Sequence, residues 1–426
     1  MNNLNVESGA IETTGRYLVL FREDAVAEGV QMLSESTGVR AASPEEFQQQ
    51  PSSILLRTLG VAVVSAEPEQ LRSLRAVSEE ESPILAIEPE RVVYAISDVL
   101  QPLDLTSKAS IDYLQGYRDA VNNLVGNLFP GSQNRLLEAN IDESVTTWGL
   151  QLTKVVNSGA SGRGIKVAVL DTGFDFKHPD FLGRTITSKS FIEGEDAQDG
   201  HGHGTHCVGT SCGALKPLKL PRYGIAYEAE IFVGKVLSNE GTGTDAGILQ
   251  AIEWAIASGC DIISMSLGSR TRPGDSYSRV YEAVAQRALK SGTLIIAAAG
   301  NESQRAQGIV NPVAHPANCP SIMAVAALDS QLRVADFSDG GINPDGGQVD
   351  IAGPGVNIYS SWPMPTQYRT ISGTSMATPH VAGIAALHAQ VSGLKGQELW
   401  SRLTQSARRL PLPSVDVGTG LVQAPE

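Results

Sequence analysis

The chain has 426 residues, 42% of them hydrophobic and 18% charged, which describes a globular protein larger than one ordinary domain. Its 32 Lys and Arg against 46 Asp and Glu give a net charge of −14, which argues against nucleic acid and anionic membrane as partners. No apolar run approaches transmembrane length. The four Cys (Cys207, Cys212, Cys260, Cys319) are too sparse for a disulfide framework and lack paired CxxC spacing for zinc. The N-terminus carries neither the basic nor the apolar region of a secretory signal, so the chain reads as cytoplasmic, with export by another route left open.

Residues 17–97 read as a small α/β unit. Tyr17–Phe21 is a strand, and Ala25–Ser34 a helix with Val26, Val30 and Leu33 on one face. Leu59–Val64 is a second strand and Pro68–Val77 a second helix. Ile84–Ile87 and Val92–Ile96 complete a ferredoxin-like β-α-β-β-α-β order. A linker follows over 98–144, with one amphipathic helix over 110–128 between stretches rich in Pro, Gly and Ser.

From residue 145 to 426 the pattern becomes short, apolar, non-alternating strands separated by helices. The strands are 165–170, 231–237, 262–267, 293–299, 322–328 and 349–352; the helices are 203–214, 244–258, 276–290, 376–391 and 395–407. This predicts a three-layer α/β domain, a mostly parallel sheet with helices on both faces. Sites in such sheets form beyond the carboxyl ends of the strands.

Four polar residues stand at such places. Asp171 is the first polar side chain after the buried run ending in Leu170; it is either a loop carboxylate or a site acid. Asp199-Gly-His-Gly-His-Gly-Thr-His206 opens a helix. A metal reading of its three His is disfavoured, because no carboxylate or Cys is expected at helical ligand spacing; the alternative is a base. Asn301 follows a buried strand as a turn residue or an oxyanion donor. Ser375, in Gly373-Thr-Ser-Met-Ala-Thr-Pro379, sits at a helix N-terminus as a cap or a nucleophile.

With Val169-Leu-Asp-Thr-Gly173, His203-Gly-Thr-His206, Ala298-Ala-Gly-Asn-Glu302 and Gly373–His380 in that order, the stretch 145–410 resembles the subtilisin-like serine proteases. Among known triads the order Asp, His, Ser is this family's own. The resemblance implies that Ser375 is the nucleophile, His203 the general base and acid, and Asp171 the group that fixes the imidazole. It implies an oxyanion hole of the Asn301 side chain and the Ser375 backbone N–H. It implies substrate edges at Gly241-Thr242-Gly243 and Ser266-Leu267-Gly268, and a pocket of Ser266–Gly268 and Ala298-Ala299-Gly300 with Ala314 as its floor. His201 and His206 become structural, His380 a helix residue, and His315-Pro316 the place of a cis proline.

The resemblance also implies a peptide or protein substrate, with the 1–97 unit as an inhibitory propeptide that acts inside its own chain and is cut off within 98–144. No cofactor is required for the chemistry. A structural calcium stays open, but the usual high-affinity site is disfavoured: Ala214–Tyr223 carries Lys216, Lys219 and Arg222, and Asp180 is left without partners. A weaker cation near Asp350 stays open as well. Cys207 matches the thiol of the thiol-sensitive members. A peptide ligase using the same acyl-enzyme and a binding protein on an inactive protease fold are the alternatives to an endopeptidase.

Overall fold

The computed structural model describes residues 12–37, 53–65, 82–96 and 141–426. The helices expected over 68–77 and 110–128 lie outside these residues.

The N-terminal unit contains β1 (Thr13–Phe21), α1 (Val26–Thr37), β2 (Ser53–Leu56), β3 (Val61–Ser65) and β4 (Ile84–Ala95). Its strands pair antiparallel in the order β4-β1-β3-β2. Successive strand side chains point to opposite faces, and here both faces are covered. Val19, Phe21, Leu55, Ala62 and Val64 pack with Val30 and Leu33 of α1. Leu18, Leu20, Leu56, Val61 and Val63 join the core of the large domain. This double burial is why Tyr17–Phe21 shows no polar alternation.

Two expectations change here. β2 takes the place that the β-α-β-β-α-β order requires between α1 and β3, for which no residues were named. The two strands expected at 84–87 and 92–96 are one continuous strand, because the polar stretch Glu88–Arg91 is not a turn. Glu88 accepts from Ser278 Oγ and Arg279 N, and Glu90 accepts from Ala246 N at 3.1 Å, so both carboxylates serve helix N-termini of the large domain.

The large domain contributes β5 (Lys166–Asp171), β6 (Ile186–Ser190), α2 (His203–Cys212), β7 (Glu230–Lys235), β8 (Thr242–Thr244), α3 (Asp245–Ala257), β9 (Ile262–Met265), β10 (Leu267–Gly268), α4 (Arg279–Lys290), β11 (Leu294–Ala298), β12 (Met323–Leu328), β13 (Ile351–Pro354), β14 (Ile358–Ser361), β15 (Tyr368–Ile371), α5 (Thr374–Ser392) and α6 (Gly396–Ser406). Seven strands form a parallel sheet in the order β13-β12-β11-β9-β5-β7-β6.

The sheet's two faces bury separate sets of side chains. Val167, Val169, Ile262, Leu294, Ile296 and Val325 face α2 and α5. Ala168, Leu170, Ile263, Ile295 and Ala297 face α3 and α4. The three-layer α/β expectation is therefore met, and burial on both faces explains the unbroken apolar strands. The edge strand β6, polar in Thr187–Ser190, and the β14–β15 hairpin carried no such signal. No helix among the described residues is long and apolar enough to cross a membrane.

Candidate active site

β5 ends in Asp171 and α2 begins at His203, so the sheet rim meets a helix N-terminus. Asp171 Oδ1 lies 2.8 Å from His203 Nδ1, and both side chains are buried. Gly204 N donates to Thr172 Oγ1 at 2.8 Å, and the Asp199 carboxylate accepts from Thr172, Gly202 and Thr205. These bonds fix the helix start against the strand end.

Burial alone would raise the Asp171 pKa; the charge and hydrogen bond of His203 outweigh it and hold it below the usual carboxylate value. Burial alone would lower the His203 pKa, but the Asp171 carboxylate holds it well above the usual histidine value. Cys207 adds no charge at neutral pH, because burial, then Asp171, push its thiol up to about 11.

Ser375 lies in the first turn of α5, fully buried in this arrangement. Its Oγ bonds to the carbonyl oxygens of Ile96 and Ser266, the latter at 3.2 Å. His203 Nε2 is buried and has no hydrogen-bond partner among the described residues. Asn301 Oδ1 accepts from Thr374 N and Thr374 Oγ1, both at 2.9 Å, which turns its Nδ2 outward to donate to Ile96 O at 3.3 Å. Thr374 was not singled out from the sequence; its place beside Ser375 was the available signal.

The strand that delivers Ile96 is β4. It runs antiparallel between β8 and β10, with Val93 opposite Gly243, Tyr94 opposite Thr242 and Ala95 opposite Leu267. Ala95 N donates to Gly241 O at 2.9 Å and Ile96 N to Ser266 O at 3.3 Å. All six residues expected as substrate edges therefore flank one extended segment, the geometry of strand addition.

The Ile96 side chain packs with Ala298 and Ala314. Gly300 has φ +116°, and a Cβ there would come within 2.2 Å of Asp339 Oδ2, so the pocket wall needs glycine. Burial, then Glu302, push the Asp339 carboxyl well above the usual carboxylate value behind this wall. Ala299, just past β11, accepts from Ala314 N at 2.7 Å. The His315-Pro316 bond is cis. His206 Nε2 pairs with Ile358 O and His380 Nδ1 with Met376 O, both within the core.

Two expectations about metals are corrected. Cys207 does stand at helical ligand spacing from His203: the ligand atoms of Asp171, His203 and Cys207 lie within 4.8 Å of one another. Nδ1 of His203 already bonds to Asp171, so an ion there would have to break that pair. Asp180 is not without partners. Tyr223 OH donates to its Oδ2 at 2.5 Å, Leu218 N to its Oδ1 at 2.6 Å, and Tyr368 OH reaches both oxygens at 3.1 Å. Hydroxyl and amide donors occupy the lone pairs a cation would need. Asp350 accepts from Ala324 N at 2.8 Å, and burial pushes its carboxyl up to about 7.

The subtilase family profile (Peptidase_S8) matches residues 162–420. The chain is 36% identical over 275 residues to subtilisin DY of Bacillus licheniformis, covering 64% of this chain and 94% of that one. It is 33% identical over 425 residues to M-protease of Shouchella clausii (strain KSM-K16), covering 99% of this chain and 93% of that one. A thermostable alkaline protease of Halalkalibacterium halodurans is 39% identical over 292 residues, 67% of this chain and 74% of its own length. With the parallel sheet, the strand-end site and these similarities together, the chain belongs to the subtilase family, as a subtilisin-like serine protease.

Proposed function

We propose that this protease is a serine endopeptidase that works through Asp171, His203 and Ser375 and first cuts its own chain after Ile96. The observation that carries the reading is the Ile96 carbonyl, held against Ser375 Oγ and Asn301 Nδ2 at the end of a strand clamped on both edges.

The geometry supports the following steps. The Ser375 hydroxyl turns about its Cα–Cβ bond toward His203 Nε2 and gives up its proton there while Oγ bonds to the carbonyl carbon. Asp171, accepting from Nδ1, orients the imidazole so that Nε2 is free once the ring is neutral, and it stabilises the imidazolium that forms; because it also holds the His203 pKa up, the base form grows as pH rises. The carbonyl oxygen becomes an oxyanion, met by Asn301 Nδ2 and by the backbone N–H of Ser375, which has no acceptor within its own helix turn. His203 returns the proton to the leaving nitrogen as the C–N bond breaks. Water then adds to the acyl-enzyme by the same route and releases the acid.

Residues 1–96 act in this reading as an intramolecular inhibitor whose tail fills the groove. The cut it supports, Ile96–Ser97, lies upstream of the 98–144 stretch favoured by sequence alone. The same reading makes calcium dispensable at Asp180. A fluorophosphonate probe tests the nucleophile: it labels Ser375 in the processed enzyme, and labelling unchanged in Ser375→Ala contradicts the assignment.

A further inference from the structure

The β14–β15 hairpin is tied to the helix that carries His203. Ser360 Oγ donates to His206 O at 3.0 Å and Ser361 Oγ to Thr205 O at 2.8 Å. Next along the hairpin, the Trp362 indole fills the space a Cβ at Gly202 would take, 2.4 Å from that position, directly before His203. The guanidinium of Arg369 stacks on this indole, 4.7 Å from the ring centroid. Arg369 is exposed and has no ion-pair partner among the described residues.

The direction of the substrate fixes what this cation faces. β4 approaches Ser375 from the β8 and β10 side and ends its pairing at Ile96. In the endopeptidase reading the leaving nitrogen has to reach His203 Nε2, so a substrate's residues past the cut would head toward the start of α2, which Gly202 and Trp362 border and Arg369 covers. In this chain the residues that follow Ile96 are Ser97 and Asp98.

We propose that Arg369 is a specificity-determining residue that selects an acidic side chain at the second position past the scissile bond, with Asp98 as the chain's own example. The inference rests on the endopeptidase reading. Stacking on Trp362 pre-orients the guanidinium, so less side-chain freedom is lost when a carboxylate arrives. The pair is exposed, so its effect is of the order of a surface ion pair and is screened by salt.

The test uses a peptide with the sequence Glu90–Gln101 and the same peptide carrying Asp98→Asn or Asp98→Lys, cut by processed enzyme and followed by mass spectrometry. For the native enzyme, kcat/KM falls about threefold to fivefold from Asp to Asn and further to Lys, and the gap narrows in 1 M salt (about a 3 Å screening length). Arg369→Gln removes the Asp-over-Asn preference, and Arg369→Glu reverses the order so that Lys is favoured. An enzyme that cuts all three peptides at the Ile–Ser bond with the same ratios in native and Arg369→Gln forms overturns the inference and leaves the endopeptidase reading standing. An enzyme that cuts none contradicts both.

Discussion

Arg91 Nη1 of the N-terminal unit lies 3.0 Å from His315 Nδ1 and 3.3 Å from His315 Nε2, so the guanidinium sits over the imidazole of the large domain. On its other side His315 Nε2 is 3.1 Å from Asp245 Oδ1, and the Tyr281 ring meets it edge-on at 4.6 Å. Burial, then Arg91, lower the His315 pKa; Asp245 and, from β4, Glu88 oppose them. When the N-terminal unit leaves, Arg91 leaves with it and the ring gains water, so the free domain binds this proton more tightly than the docked one. Docking therefore releases a proton. Affinity is full above the free-state pKa and falls as pH drops through it. The inhibition constant of residues 1–96 against processed enzyme should rise between about pH 7 and pH 5, near the ordinary histidine range, by at most about tenfold per unit. His315→Gln should flatten that slope, and an unchanged slope refutes the account of this contact.

Asn301 is held by Thr374 through both acceptor sites of its carbonyl. Asn301→Ala should lower kcat with KM little changed. In subtilisin itself, loss of the corresponding Asn costs roughly 100- to 1,000-fold in turnover, and that borrowed range is the expectation. Thr374→Val keeps the backbone donor and should cost less. Steady-state kinetics showing a pure KM effect for Asn301→Ala would count against an oxyanion role.

Much of the site was legible because its residues adjoin buried runs. Leu170 precedes Asp171, Ala298 and Ala299 precede Asn301, and an apolar helix follows Ser375. What escaped was whatever depends on a second segment. Glu88 and Glu90 look like a turn in sequence, yet they lie in a strand because helices α3 and α4 offer them free N–H groups. Asp180 reads as a stranded calcium ligand until Tyr223 and Tyr368, far along the chain, bring their hydroxyls to it. Trp362 and Arg369 had no periodic signal, since the β14–β15 hairpin gains its meaning from the Gly202 it covers.

Cys207 Sγ is 4.0 Å from His203 Nδ1 and 3.6 Å from Ser375 O, fully buried beneath the site. A mercurial bonded to this sulfur displaces the imidazole, and small displacements at the reacting groups are costly. Mercurials should inhibit the processed enzyme, and Cys207→Ser should stay active and become resistant. Inhibition that persists in Cys207→Ser would trace the effect to Cys212, Cys260 or Cys319.

The tyrosine-held carboxylate of Asp180 gives a prediction about metal removal. Asp180→Ala leaves the buried hydroxyl of Tyr223 without its acceptor, a loss on the order of 1–3 kcal/mol. The melting temperature should fall by the same amount in calcium and in chelator. A loss seen in calcium alone would mean that Asp180 binds the ion after all.

The account rests on Ile96 being presented for cutting by Ser375 in the same chain. The direct measurement is the intact mass and N-terminal sequence of the purified 426-residue protein beside its Ser375→Ala form. The native chain should separate into a fragment ending at Ile96 and an enzyme beginning at Ser97, while Ser375→Ala stays full length. An active protein that keeps its N-terminal unit uncut, or a Ser375→Ala chain cut at the same bond, contradicts it.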